Sequence, residues 1–225
     1  MKVVLKLGKF LFPSYPNLKL LKEYVAIIED LAERGSRVVI VTGGGGLAKE
    51  YIKAAREGGL NESLCDLIGI KISRINAYLL ASMFKEHAYQ RIPENLEELR
   101  YAMQAWRIVV LGGLTPGHST TTVGALAAEA IKADCYIIAS DVEGIYNKDP
   151  RTFKDAKMLK TITTKKVFKI AIRGNLWAGG YEIDPLAIKI IERSKIPTYF
   201  IDGRKPENFL KILTGEKIGT YIKPS

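Results

Sequence analysis

Four consecutive glycines, Gly43-Gly44-Gly45-Gly46, follow the apolar run Arg37 to Val41 and precede a helical pattern from Leu47 to about Arg56. Glycine lets the backbone come close to a phosphate and aim its N–H groups at it, and the following helix adds its positive end. A plain tight turn uses the same residues. A second run, Gly112-Gly113-Leu114-Thr115-Pro116-Gly117-His118-Ser119-Thr120-Thr121-Thr122, also follows a strand pattern and leads into a helix. Its hydroxyls and imidazole serve either as ligand contacts or as ordinary helix caps. Lys6 interrupts Lys2 to Leu7, which reads as a buried strand, and buried lysines are rare unless paired. From a strand end it reaches either a phosphate or solvent. Asp141, just past the strand pattern Cys135 to Ala139, is either a partner for cations or a turn residue. Asp66 heads a stripe with Gly69, Ser73 and Ala77, a smooth helix face or a plain solvated one. Lys189 is spaced with Pro185, Glu192 and Arg193 rather than with Ile183, Ala187, Ile190 and Ile191, the pattern of a surface lysine.

The elements that must hold these residues alternate. Strand patterns at Lys2 to Leu7, Arg37 to Val41, Arg107 to Leu111 and Cys135 to Ala139 are separated by helical ones. The helical stretches are Leu18 to Glu33, Leu47 to Arg56, Glu62 to Glu86, Glu94 to Ala105 and Ser119 to Ile131. Beyond Asp141, turn residues predict a loop or hairpin excursion, then helices over Thr164 to Ile172 and Asp184 to Ser194. Strands follow at Thr198 to Ile201 and Ile218 to Ile222. Strands joined through helices make an α/β fold, a single three-layer αβα domain over residues 1–225 with a mostly parallel twisted sheet. Ligands of such sheets bind at the carboxyl ends of the strands. The turns at Lys6 to Lys9, Thr42 to Gly46, Gly112 to Thr120 and Ser140-Asp141 therefore gather on one edge. Two phosphate-friendly loops there imply a donor and an acceptor.

Composition narrows the classes. With 225 residues and 47% hydrophobic content, the chain builds one large core. The surplus of 34 Lys plus Arg over 24 Asp plus Glu suits polyanions or a self-repelling surface, but it is scattered, so no nucleic-acid partner is expected. Two distant cysteines, Cys65 and Cys135, fit a reducing compartment rather than a disulfide scaffold. The uncharged stretch Ile108 to Ala128 is broken by glycines, proline and hydroxyls, so no membrane span is expected either. Two histidines, no acidic partners at metal spacing and no serine elbow give hydrolase or zinc chemistry little support. No residue is assigned as a metal ligand.

Taken together, Lys6-Leu7-Gly8, Val41 to Gly45, Asp66 to Ile70 with Arg74 to Ala77, Gly112-Gly113 with Pro116 to Thr120, Ser140 to Tyr146 with Lys148 to Pro150, and Asp184 to Lys189 resemble the archaeal-type uridylate (UMP) kinases of the amino acid kinase fold. The resemblance spans essentially the whole chain. It implies transfer of the γ-phosphoryl group of ATP to UMP, with Mg²⁺, in the cytoplasm, by a homohexamer. It implies an acceptor part of roughly 1–130 and an ATP part of roughly 131–225. It sets Gly8, Lys9, Gly45, Lys49, Ser140, Asp141, Tyr146 and Asp149 around ATP. It gives UMP to Gly44, Asp66 and the loop Leu114, Thr115, Pro116, Gly117, His118, Ser119 and Thr120. It implies catalytic roles for Lys6, Asp141 and Lys189, with Lys6 and Lys189 flanking the moving phosphoryl group and Asp141 beside the lysines. The family's usual Gly-Gly-Ser is Gly8-Lys9-Phe10 here, and its Thr-Thr-Asp is Ser119-Thr120-Thr121. Same-fold kinases for carbamate, an acidic amino acid or isopentenyl phosphate are the nearest alternatives. A non-catalytic nucleotide sensor or nucleic-acid binder is a more distant one.

Overall fold

The structure, a computed structural model, describes residues 1–148, 150, 152–172 and 184–225. Asp149 and Ile183 lie outside the described residues. Seven strands form one sheet in the order β3-β2-β1-β4-β6-β7-β5. These are β1 (Lys2–Leu7), β2 (Arg37–Thr42), β3 (Ile108–Leu111), β4 (Cys135–Ser140), β5 (Thr161–Thr163), β6 (Thr198–Asp202) and β7 (Thr220–Lys223). Every pairing is parallel except β6 with β7. The four strands β1 to β4 are buried almost throughout, which is why they read as continuous apolar runs rather than alternating ones.

Alternate side chains leave the sheet on opposite faces. Val3, Leu5 and Leu7 enter a core with α1 (Leu18–Glu33), α3 (Glu62–Met83) and α8 (Glu207–Leu213). Val4, Val39, Val41 and Leu111 enter a second core with α4 (Leu96–Ala105), α5 (Thr120–Ile131), α6 (Thr164–Ile172) and α7 (Pro185–Ser194). The remaining helix, α2 (Gly45–Glu57), packs on α3. The expected α/β architecture is thus the observed one.

Local boundaries differ for readable reasons. The helix expected to reach Glu86 stops at Met83, and a short 3-10 turn, Lys85–His87, begins with Lys85 at φ +50°. Its successor starts at Leu96, where the Asn95 side chain accepts from the Glu98 N–H and caps it. Neither β5 nor α8 was expected.

β1 is the strand from which the chain winds outward in both directions. Its neighbours are β2 on one side and β4 on the other, so it marks the point where strand order reverses. A crevice opens at the carboxyl ends there. Lys6 is paired in register with Val41 and Ile138, one residue before that edge.

Candidate functional site

Lys6 is 2% exposed and shares its strand face with Val4, toward α5 and α7. Burial pushes its ammonium down to about 8, against the upward pull of the Asp141 carboxylate. Asp141 also meets Lys9, with Nζ to Oδ2 at 3.4 Å, and accepts from the Ser140 hydroxyl at 3.4 Å. Two cations and one carboxylate therefore sit at the ends of β1 and β4. Gly8 is required there: a Cβ would fall 2.9 Å from the Ala139 carbonyl oxygen. Tyr146 stands farther along, bonded to Glu143. Asp149 cannot be placed, being outside the described residues.

The glycine run does two jobs. Gly46 donates its N–H to the carbonyls of Phe12 and Pro13, both at 2.9 Å. Gly45 has φ +67°, and a Cβ on it would fall 1.9 Å from the Phe12 oxygen. These two residues let the 8–16 loop lie across the start of α2, which is why the helix begins at Gly45 rather than at Leu47. Gly45→Ala should therefore cost about 2–4 kcal/mol of stability, combining left-handed backbone strain with overlap. A urea midpoint equal to that of the unsubstituted protein would show that the loop yields instead.

Gly43 and Gly44 face the other way, toward α3 and α5. A Cβ on Gly44 would press Ala48 and the Gly69 carbonyl, and one on Gly43 would have room beside the Thr120 hydroxyl. The α3 stripe holds these turns. Asn76 donates to the Gly43 carbonyl at 2.8 Å, Thr42 donates to the Ser73 carbonyl at 3.0 Å, and the Ser73 hydroxyl accepts from Gly113 N–H at 2.7 Å. Arg74 donates to the Gly113 carbonyl at 3.0 Å and pairs with Glu94. The sequence marked Ser73 only as part of the Asp66 stripe, and Arg74 and Asn76 only as part of a family motif, with no role given to any of them. Their signal was polar residues on the inward stripe that Asp66 and Gly69 begin.

Between these parts lies a cavity of about 200 Å³ lined by Gly44, Lys49, Asp66, Ser73, His118 and Thr120, among others. The His118 Nδ1 is buried without a hydrogen-bond partner among the described residues. Asp66 accepts from the Gly117 N–H at 2.7 Å, pinning the loop across from α3 at a residue with φ +80°. Two larger cavities, about 320 and 280 Å³, open beside Arg107 and Ile108 and beside Lys2 and Arg37. Those are the starts of the strands, the edge opposite the glycine turns.

Not every expected residue converges. Lys49 lines the cavity with Asp66 rather than standing with Lys9 and Asp141. Leu114 packs on the α4–α7 core, and the Ser119 hydroxyl donates to Asp184 at 2.7 Å. Lys189 has its contacts on another helix face: its ammonium pairs with Glu192 at 3.1 Å and lies 4.3 Å over the Phe168 ring. It sits inside α7, on the side turned to α6, as its surface spacing indicated.

This constellation matches known proteins along its whole length. The sequence pattern of the amino acid kinase family matches residues 1–202. The chain is 44% identical to uridylate kinase of Sulfurisphaera tokodaii and 41% identical to uridylate kinase of Methanococcus aeolicus, covering all of both chains in each case. It superposes on the crystal structure of uridylate kinase from Archaeoglobus fulgidus with a TM-score of 0.89 at 43% identity, over 99% of this chain and all of the other. UMP kinase from Bacillus anthracis shares the fold at a TM-score of 0.82 and 22% identity, over 99% and 95% of the two chains. With its sheet order, strand-end glycine turns and full-length relatives in agreement, the chain belongs to the amino acid kinase family.

Proposed function

We propose that this protein is a UMP kinase, transferring the γ-phosphoryl group of ATP to UMP to give ADP and UDP in pyrimidine nucleotide synthesis. The observation that carries this reading is Lys6, a buried cation at the strand-order reversal with the Asp66–His118 cavity on one side and the Lys9–Asp141 pair on the other. The full-length uridylate kinase relatives support the acceptor's identity.

Phosphoryl transfer needs alignment and neutralisation of charge more than covalent help. UMP is a phosphate monoester with a second pKa of about 6, so it arrives ionised and needs no general base. Its phosphate lies against the Gly44 turn and the first turn of α5, and its ribose hydroxyls meet Asp66. Residues of the first 130 thus hold the acceptor, and those from 131 onward, with Gly8 and Lys9, hold ATP through Ser140, Asp141 and Tyr146. Lys6 neutralises charge on the transferring oxygens. Lys189 has no part in that pair.

Mg²⁺ fits this donor set only as a passenger of ATP. No group of three acidic or imidazole side chains gathers among the described residues, and one carboxylate plus nucleotide phosphates is an ordinary arrangement for this ion. Asp141 is the residue that would hold it, and the ion would screen charge between the β- and γ-phosphates.

The enzyme works in the cytoplasm, where the buried free thiols of Cys65 and Cys135 stay reduced. No helix of the described residues is long and apolar enough to cross a membrane. It assembles as a homo-oligomer, a hexamer by resemblance. The exposed Leu64, Leu67, Ile75 and Tyr78 on α3 support a buried contact between copies.

ADP release from ATP with UMP, CMP, dUMP, carbamate, an acidic amino acid or isopentenyl phosphate tests the reading. UMP should give the highest kcat/KM, by about tenfold or more over the non-nucleotide acceptors. A faster reaction with one of those, or none with any, would overturn it.

A further inference from the structure

Asp184 stands outside the cleft, yet it joins the two helices that frame it. Its Oδ1 accepts from the Leu186 N–H at 2.9 Å, capping α7, where Pro185 opens the helix. Its Oδ2 accepts from the Ser119 hydroxyl at 2.7 Å and from the Thr122 hydroxyl. Ser119 is itself the cap of α5: its side-chain oxygen accepts from the Thr122 N–H at 3.1 Å. Thr122 is fully buried, so its hydroxyl has few other choices. One carboxylate thus fixes the first turns of α5 and α7 together. Burial is the largest single influence and opposes its charge, but hydrogen bonds from the Ser119 and Thr122 hydroxyls and from the Leu186 and Ser119 N–H groups together hold the carboxyl below the usual range. It is ionised at neutral pH, and hydrogen bonds to an ionised acceptor are the stronger kind.

A second tie backs the same turn. The Tyr136 hydroxyl, on β4, donates to the Thr121 carbonyl at 2.9 Å. Gly124 makes room for that ring, since a Cβ there would meet the Tyr136 oxygen at 2.4 Å. The first turn of α5 is therefore held from the sheet and from α7. Its remaining side, with Thr120 and His118, lines the cavity.

We propose that Asp184 is a positioning residue for the acceptor: by clamping Ser119 and Thr122 it holds the first turn of α5 in the orientation that receives the UMP phosphate. This rests on the UMP kinase reading above. The residue acts through Ser119 and Thr122 and touches neither nucleotide. Loss of the clamp should loosen acceptor binding and leave the ATP side, built on β1 and β4, alone. An acceptor-specific rise in KM separates this role from a merely structural one, which would lower stability and leave both KM values of the folded enzyme unchanged.

The test is steady-state kinetics on the full-length protein with UMP and ATP varied separately. Asp184→Ala should raise the KM for UMP about tenfold or more, with kcat and the KM for ATP within about threefold. Asp184→Asn keeps the shape and one acceptor oxygen, and should recover part of that loss. Should Asp184→Ala fail to fold, Thr122→Val carries the question. It removes one donor at nearly constant shape and should raise the KM for UMP about threefold. Unchanged UMP KM in Asp184→Ala, or in Thr122→Val where Asp184→Ala is unfolded, overturns the clamp. An unsubstituted enzyme inactive with UMP overturns the reading beneath it instead.

Discussion

Lys6→Ala should lower kcat by about a thousandfold while both KM values stay within about threefold. The reasoning starts from a cost. Lys6 is 2% exposed, and burial works against its charge strongly enough to bring it down to about 8. A fold keeps such a group only when something repays the desolvation. Asp141 repays part of it. Phosphates add to that repayment, with charge that develops where the ammonium already sits and where no reorganisation is needed. Lys6→Met should therefore lose activity while keeping or gaining thermal stability, because it removes a buried charge without opening a cavity. Lys6→Arg should not rescue turnover, since a planar guanidinium does not fill the space of a compact ammonium. The same residue sets a pH limit. As pH rises through about 8, the free enzyme loses the Lys6 proton, so kcat/KM should fall on that side. The fall should vanish in Lys6→Met. Wild-type turnover in Lys6→Ala or Lys6→Met would remove Lys6 from the transfer step.

For Asp66→Ala, the KM for UMP should rise about a hundredfold, with the KM for ATP little changed. Two losses add. The carboxylate accepts from the Gly117 N–H at 2.7 Å, and this bond holds the acceptor loop at a residue in the left-handed region. Its other oxygen is the one proposed for the ribose hydroxyls. Hydrogen bonds to a charged group contribute about 1.5–3 kcal/mol each, so a hundredfold change, about 2.7 kcal/mol, lies within their reach. Asp66→Asn keeps an acceptor for Gly117 and should lose only the charge-assisted part, raising the KM about tenfold. An unaltered UMP KM in Asp66→Ala would break the assignment of the cavity.

Much of this architecture could be read from the chain because parallel strands are buried on both faces. Their continuous apolar runs, each followed by glycine or a polar turn, announce where the strand ends lie, and the pairing Leu7 with Thr42 and Ala139 puts three of those ends side by side. β5 escaped notice because three residues with one buried side chain carry no period. α8, at seven residues after Pro206, is too short for a helical repeat to stand out, and because β6 and β7 pair antiparallel across the connection that carries α8, no hairpin signature marks their pairing. The site divides in the same way. Gly8, Gly44, His118 and Asp141 could be found because each follows a strand. Ser73 and Asn76 act from a helix, where a polar residue looks the same whether it faces solvent or a turn, and Asp184 showed only as the cap of α7, with no sign of its tie to α5. The spacing of Lys189 on α7 announced a surface lysine, and its contacts with Glu192 and Phe168 agree with that pattern.

A crystal structure with UMP and a non-hydrolysable ATP analogue bound together tests the central claim most directly. The account predicts the UMP phosphate between the Gly44 turn and the first turn of α5, the γ-phosphate beside Asp141 and Lys9, and the Lys6 ammonium within about 3 Å of oxygens on both. UMP seated at the opposite edge of the sheet, or a Lys6 ammonium that reaches neither phosphate, would contradict it.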